Sequence, residues 1–214
     1  MWWAFLVMAP VGYLMGSVPM GLIAGRLVRG IDIREYGSGK TGFTNALRTI
    51  GLRASLLVLL GDAVKGALPV LIARLLSDNS YVQTVAGLAA VVGHDWPVFA
   101  GFRGGRGVTT FFGVILGMNP LVVLAMVPVG VAIAFVTRYM SVMSIASAVL
   151  TACVLVGLAA AGLLPAAYPL YASLGAVLIV VLHRSNIQRL LAGTEPKIGR
   201  GGDKRAEEAR PTRD

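Results

Sequence analysis

Charged side chains are scarce in this sequence, and their absence from long stretches indicates the class of protein. Only 14% of the 214 residues are charged and 56% are hydrophobic, whereas a soluble domain carries about 25% charged residues. Residues 2–25, 107–137 and 139–182 contain no Asp, Glu, Lys or Arg. Because about 20 apolar residues are enough to cross a bilayer, the sequence predicts an integral membrane protein with several spans. It excludes both a soluble globule and a disordered chain.

Cysteine and histidine are also scarce. The single cysteine, Cys153, excludes an intramolecular disulfide, and together with two histidines it provides too few ligands for a structural zinc site. We therefore expect no metal and no other cofactor. Basic residues are in excess, with 19 Lys and Arg against 10 Asp and Glu. In a membrane protein this excess is typical of cytoplasmic loops, so we expect no nucleic-acid partner.

Turn signals divide the apolar stretches into seven predicted helices. One long run is interrupted at Gly117 to Pro120 and another at Gly162 to Pro165. With seven spans and the N-terminus outside, nearly all basic residues lie in cytoplasmic loops, whereas six spans would place the basic tail outside. The prediction is an all-α fold of seven transmembrane helices with a cytoplasmic C-terminus. Residues 1–199 form the membrane domain, and residues 200–214 form a disordered basic cytoplasmic tail.

Three polar segments, residues 30–48, 93–107 and 183–195, are predicted to meet on the cytoplasmic face. A bias of positive charge explains their arginines but not the glycines of Gly37-Ser38-Gly39 or of Gly104-Gly105-Arg106-Gly107. Backbone N–H groups at a helix N-terminus bind anions, and an arginine fork adds charge. The second glycine run therefore predicts a phosphate site. A tight turn with membrane-anchoring arginines is the alternative.

Two charged residues lie inside the second predicted span. Asp62 and Lys65 are three residues apart and share a helix face. We expect them to form an ion pair, because an unpaired charge in a bilayer is costly. An ion pathway is the alternative, and it would fit a small transporter of an anionic solute. His94 and His183 lie at predicted membrane boundaries, and neither begins the H-x-x-x-x-D pattern that supplies the general base in one class of acyltransferases.

Several polar motifs occur in an order that is specific when they are taken together. The motifs are Gly16-Ser-Val-Pro-Met-Gly, Asp32-Ile-Arg, Gly37-Ser-Gly, Thr44-Asn45 with Arg48, Gly61-Asp62 with Lys65-Gly66, Gly93-His94, Gly104-Gly-Arg-Gly-Val, Arg138-Tyr139, and His183-Arg-x-Asn186-Ile with Arg189. With these motifs, the chain resembles the bacterial acyl-phosphate-dependent glycerol-3-phosphate acyltransferases, the PlsY family, over roughly residues 10–199.

The resemblance implies a function. Such an enzyme transfers a fatty acyl group from acyl phosphate to the 1-position of glycerol 3-phosphate and gives lysophosphatidic acid and phosphate, the first step of bacterial phospholipid synthesis. It works in the bacterial inner membrane with its active site on the cytoplasmic side. The partners that the resemblance implies are membrane lipid and the enzyme that supplies acyl phosphate. Because acyl phosphate is an activated anhydride, we expect direct transfer that depends on positioning and charge stabilisation.

The resemblance also implies roles for individual residues. Those implied to be catalytic are Ser38, Arg48, His183 and Asn186. Those implied to bind substrate phosphate are Arg48, Gly104, Gly105, Arg106 and Gly107. Those implied to support the site are Asn45, Asp62, Lys65 and His94. The chain departs from the family pattern at Lys40, where asparagine is usual, at Phe43, where a small residue is usual, and at Arg106, which replaces a lysine.

Overall fold

The structure, a computed structural model, describes residues 2–204 and is all-helical over that range, as predicted. Two 3₁₀ turns, Ile33–Glu35 and Val98–Ala100, accompany the α-helices. The α-helices are α1 (Trp2–Gly16), α2 (Met20–Arg29), α3 (Phe43–Ile50), α4 (Leu52–Leu76), α5 (Ser80–Asp95), α6 (Val108–Met118), α7 (Pro120–Thr137), α8 (Met140–Ala160), α9 (Ala167–Leu182) and α10 (Arg184–Leu191).

Within residues 2–204, four helical segments are long and apolar enough to cross a membrane. They are Trp2–Arg29, which comprises α1 and α2, and the helices α4, α7 and α8. A fifth candidate is α9 with α10, which are bent by 56° relative to each other. The remaining predicted spans are shorter, with 16 residues in α5 and 11 in α6. The number of seven crossings and the side of each terminus therefore stay predictions.

The break between α1 and α2 is stabilised from α4. Pro19 lacks a backbone N–H and precedes the first residue of α2, so the helical hydrogen bonds are interrupted there. A broken helix in a membrane needs other partners for its freed carbonyl groups. Lys65 Nζ donates a hydrogen bond to the carbonyl of Val18 at 2.7 Å, and Ser17 Oγ donates to that of Tyr13 at 2.8 Å.

Small residues allow the helices to approach closely around α6. A β-carbon at Gly113 would overlap the carbonyl of Ala63 in α4, and one at Gly66 would overlap that of Thr110 in α6. Close backbone contact of this kind is typical of packed membrane helices. The ring of Phe111 stacks on that of Tyr171 at 5.4 Å, inside the largest hydrophobic cluster. The short α6 is therefore covered by protein, which supplies the shielding that its length requires.

The chain beyond α10 folds back over the loop that precedes α3. Ile198 N–H donates to the carbonyl of Arg138 at 2.9 Å, and Gly37 N–H donates to that of Asp203 at 2.9 Å. The first part of the predicted tail, residues 200–204, is thus in contact with the loop that contains Gly37. Residues 205–214 lie outside the described residues, and the domain boundary at residue 199 stays a prediction.

Candidate active site

A cavity of about 490 Å³ joins a polar end to an apolar end, and we call it the active-site cavity. The polar end is formed by the loop before α3, the start of α6 and the end of α9. The apolar end lies between α7 and α8, with α4 and α6 behind it. The polar lining residues include Ser38, Lys40, Asn45, Asp62, His94, Arg106 and His183, and the apolar ones include Leu59, Phe112, Met126, Val127, Gly130, Val131, Ala134, Met140 and Met143.

Asn45 fixes the conformation of the first loop. Its Oδ1 accepts a hydrogen bond from the N–H of Ser38 at 2.9 Å. Its Nδ2 donates to the carbonyls of Ile33 at 2.8 Å and Lys40 at 2.9 Å. A buried amide with three bonds to the backbone is costly to replace. Asn45 therefore positions Ser38 and Lys40 at the cavity.

The glycine loop, Gly104 to Gly107, is hydrogen-bonded to the C-terminal end of α5. The N–H of Gly104 donates to the carbonyl of Asp95 at 3.2 Å, and that of Gly105 donates to the carbonyl of His94 at 3.1 Å. A β-carbon at either glycine would overlap His94. The N–H groups of Gly104 and Gly105 are therefore hydrogen-bonded within the protein, and a role of these two glycines in binding phosphate stays a prediction.

Gly107 lies at the start of α6, where the sequence predicted an anion site. It is the N-cap residue of α6 and adopts a φ of +69°, a left-handed conformation that favours glycine. A β-carbon there would lie 3.2 Å from both carboxylate oxygens of Asp95. The N–H groups of the first turn of α6 have no intrahelical partner. The backbone N–H groups from Arg106 to the end of that turn are therefore the ones that can bind an anion.

An ion pair lies beneath the glycine loop. Lys65 Nζ is 2.9 Å from Asp62 Oδ1, and His94 Nδ1 is 3.5 Å from the same oxygen. All three side chains are buried. The predicted pairing of Asp62 and Lys65 is confirmed. Because the ring of His94 packs directly on Gly105, this cluster links α4 to the loop.

Arg106 supplies positive charge at the polar end of the active-site cavity. Burial, with smaller effects of the positive charges of Arg189 and Arg48, lowers the pKa of its guanidinium to about 10. Its buried Nε has no hydrogen-bond partner among residues 2–204. Burial, with a smaller effect of Arg106, also lowers the pKa of the Lys40 ammonium. Several cations held close together at a cavity favour an anionic ligand.

The third motif places His183 in the cavity and Asn186 beside it. The Nδ1 of His183 pairs with the carbonyl of Ile179 at 2.8 Å. In the neutral tautomer that pairing makes Nδ1 the donor, so Nε2 is an acceptor. Asn186 Nδ2 donates to Glu195 Oε1 at 2.7 Å, and Arg189 Nε donates to Glu195 Oε2 at 2.7 Å.

Arg48 approaches the same cluster from α3. Its Nη2 donates to the carbonyl of Pro196 at 3.3 Å. Burial lowers the pKa of the Arg48 guanidinium, and the negative charge of Glu195 opposes that shift. Arg48 is therefore close to Glu195, and it lies outside the lining of the active-site cavity.

Of the residues predicted for the site, seven line the cavity and five do not. The seven are Ser38, Asn45, Asp62, His94, Arg106, Gly107 and His183. Those outside its lining are Arg48, Lys65, Gly104, Gly105 and Asn186. The sequence analysis assigned no role to Glu195, whose carboxylate holds Asn186 and Arg189. The signal for it was the acid's position in a segment otherwise rich in basic residues.

Comparison with known proteins identifies the family of this chain. The profile of a family described as glycerol-3-phosphate acyltransferase matches residues 6–193. The glycerol-3-phosphate acyltransferase of Synechococcus sp. (strain CC9902) is 43% identical over 197 residues, which cover 92% of this chain and 96% of the relative. The chain belongs to the glycerol-3-phosphate acyltransferase family.

Two crystal structures of PlsY, an integral membrane glycerol 3-phosphate acyltransferase, are similar to this fold. The glycerol 3-phosphate form has a TM-score of 0.83 at 38% identity and covers 91% of this chain and 96% of that one. The lysophosphatidic acid form has a TM-score of 0.81 at 38% identity, with coverage of 90% and 94%. This protein is thus an integral membrane acyltransferase of phospholipid biosynthesis, and the prediction of that enzyme class is confirmed.

Proposed function

We propose that this protein transfers a fatty acyl group from acyl phosphate to the 1-hydroxyl of glycerol 3-phosphate. The products are 1-acylglycerol 3-phosphate and inorganic phosphate. The observation that supports this reaction best is the active-site cavity, because it joins a cationic polar end to an apolar channel between two helices. Its polar end suits the phosphate groups of both substrates, and its apolar end suits an acyl chain.

The reaction forms one ester bond and breaks one mixed anhydride bond. The oxygen of the glycerol 1-hydroxyl attacks the acyl carbonyl carbon, and the bond from that carbon to the phosphate oxygen breaks. The proton of the hydroxyl passes to a phosphate oxygen of a substrate, so no enzyme base is required. Holding the two substrates together contributes most to the rate in such a reaction, with charge stabilisation of the anionic transition state.

The polar residues divide these tasks. Arg106, Lys40 and the N–H groups at the start of α6 bind phosphate, and Arg48 does so from the margin of the cavity. Ser38, held by Asn45, orients a polar group of the substrate, as do His183 and Asn186. Asp62, Lys65 and His94 position the glycine loop. Gly104 and Gly105 act through their close packing on His94.

The membrane arrangement belongs to the same proposal. Seven crossings with the N-terminus outside place the polar end of the active-site cavity on the cytoplasmic side of the bacterial inner membrane. Glycerol 3-phosphate is a small soluble anion that would enter there. A separate enzyme must supply acyl phosphate, since its synthesis requires a different reaction of an activated fatty acid with phosphate.

The deciding experiment is an assay of the purified protein with palmitoyl phosphate and radiolabelled glycerol 3-phosphate. We expect radiolabelled palmitoylglycerol 3-phosphate and an equal amount of phosphate. Palmitoyl-coenzyme A is tested in parallel as the donor, and the variant Arg106→Ala serves as the low-activity control. Product formed from the coenzyme A ester but not from palmitoyl phosphate would contradict the proposed donor.

A further inference from the structure

A second cavity of about 410 Å³ lies outside the active-site cavity, and we call it the arginine cavity. It is formed by α2, the 3₁₀ turn Ile33–Glu35 and the segment that follows the 3₁₀ turn Val98–Ala100. Its lining comprises Pro19, Leu22, Ile23, Arg26, Arg34, Phe99, Ala100, Gly101 and Arg103. Three arginines from three separate segments therefore meet at one concave site that the acyl-transfer reaction does not use.

Arg34 forms a rigid wall of the arginine cavity. Its Nε and Nη2 donate to the carboxylate of Asp32 at 2.6 to 3.1 Å, and its Nη1 donates to the carbonyl of Ala100 at 2.8 Å. Hydrogen bonding to Arg34 lowers the pKa of Asp32, and the charge of Arg26 adds a smaller effect. Asp32 thus neutralises one of the three positive charges, and the other two remain for a ligand.

Arg26 and Arg103 carry those two charges. Both side chains are exposed, and within residues 2–204 neither forms an ion pair with a carboxylate. Arg26 projects from the last turn of α2, whereas Arg103 directly precedes the glycine loop. The arginine cavity therefore lies at the same end of the helix bundle as the polar end of the active-site cavity.

The rim of the arginine cavity is apolar and exposed. Among the lining residues, Phe99 exposes 62% of its surface and Ile23 40%, and Leu27, one helical turn beyond Ile23 in α2, exposes 81%. Phe102, next to the lining residue Gly101, has a φ of +59° and is exposed as well. A bulky side chain is seldom held in that conformation unless the surroundings require it. Exposed apolar side chains beside basic ones are typical of protein surfaces that lie at the membrane–water interface.

We propose that the arginine cavity binds the phosphate-bearing headgroup of an anionic membrane lipid. Arg26 and Arg103 contact the phosphate, Arg34 holds the wall in place, and the acyl chains lie along Ile23, Leu27 and Phe99. Basic pockets between helices at the cytoplasmic boundary recognise such headgroups, and a volume of about 400 Å³ is within the range of ligand sites. The lipid would thus bind beside the loop that contacts the substrates.

The test measures thermal unfolding of the detergent-purified protein while phosphatidylglycerol, phosphatidylcholine or inorganic phosphate is titrated in. We expect phosphatidylglycerol to raise the Tm and phosphatidylcholine to leave it unchanged. In Arg26→Gln and Arg103→Gln the half-saturating concentration of phosphatidylglycerol should rise on the order of 5-fold for each arginine removed. The matched control is Arg29→Gln, which removes the same charge from α2 at a position outside the arginine cavity.

Two further arms separate this site from the active site and from a site for free phosphate. Arg106→Ala should keep the phosphatidylglycerol effect, and inorganic phosphate should shift the Tm equally in the wild type and in Arg26→Gln. The proposal is overturned if Arg29→Gln weakens the effect as much as Arg26→Gln. It is also overturned if Arg106→Ala abolishes the effect of phosphatidylglycerol, or if only the Tm shift caused by free phosphate depends on Arg26. The readout does not depend on acyl transfer, so the proposed function can fail without affecting it.

Discussion

Lys40 lines the polar end of the active-site cavity. Replacing it with asparagine removes one charged contact to phosphate. We expect Lys40→Asn to raise the KM for a phosphate substrate about 10-fold, the lower end for a bond to a charged group. Steady-state kinetics with each substrate varied in turn would check this. Unchanged KM values for both substrates would show that Lys40 does not contact either.

The pH dependence of KM gives a second measurement on the same residue. Lys40 binds phosphate as the ammonium, and burial lowers its pKa from the ordinary value of about 10.4. The wild-type KM should therefore begin to rise at a lower pH than an ordinary lysine would give. In Lys40→Arg the side chain stays charged, so the rise should move to higher pH. If KM rises at the same alkaline pH in the wild type and in Lys40→Arg, the group that titrates is not Lys40.

Arg106 is the residue on which the phosphate site depends most directly. Arg106→Ala should raise the KM for at least one phosphate substrate by about 10- to 150-fold, which corresponds to the ~1.5–3 kcal/mol of a lost charged hydrogen bond. Arg103→Ala, in the same loop but outside the active-site cavity, is the matched control and should change either KM little. Equal effects of the two substitutions would indicate a general loss of positive charge.

His183 distinguishes binding of the substrate from general-base catalysis. His183→Ala should lose most activity, whereas His183→Asn or His183→Gln should retain a measurable part because an amide oxygen can replace Nε2 as the hydrogen-bond acceptor. The exposed neighbour provides a control, since Arg184→Ala should leave kcat nearly unchanged. If both amide variants are as inactive as alanine and the wild-type kcat falls at acid pH through a single ionisation, His183 is the base.

At the scale of helices, the contact between α4 and α6 positions the start of α6 at the substrate. Gly66→Ala would force a β-carbon onto the carbonyl of Thr110, and overpacking of this kind costs about 1–3 kcal/mol. We expect a lower Tm in detergent and reduced activity. Gly157→Ala is the control, because no atom lies within 4 Å of the added carbon in α8. A Tm that is equally low in both variants would exclude the packing explanation.

The sequence predicted the elements well because their signals are local. Apolar runs, the Asn119-Pro120 start of α7 and the Asp62–Lys65 pair all depend on residues within one or two helical turns. The contacts of the glycine loop could not be predicted, since the partners of Gly104 and Gly105 are carbonyls at the end of another helix. The bond from Asn186 to Glu195 likewise requires the turn that follows α10.

For the whole molecule, the apolar exterior and the polar end with its two cavities are consistent with one orientation in the membrane. Arg26, Arg48 and Arg106 belong to loops and helix ends that meet at the polar end. The same end therefore carries the proposed substrate site, the proposed lipid site and the chain segment beyond α10. A cytoplasmic location of that end would explain why basic residues are concentrated there.

That orientation can be measured by labelling single cysteines in intact cells. With Cys153→Ala as the background, Ser80→Cys and Asn119→Cys should react with an impermeant thiol reagent, because they lie at the opposite end of the bundle from the substrate site. Ser38→Cys should react only after the cells are permeabilised, and Lys197→Cys, in the segment beyond α10, provides a second position on the same side. Labelling of Ser38→Cys and Lys197→Cys from outside, with Ser80→Cys protected, would reverse the orientation and move the proposed active site away from the cytoplasm.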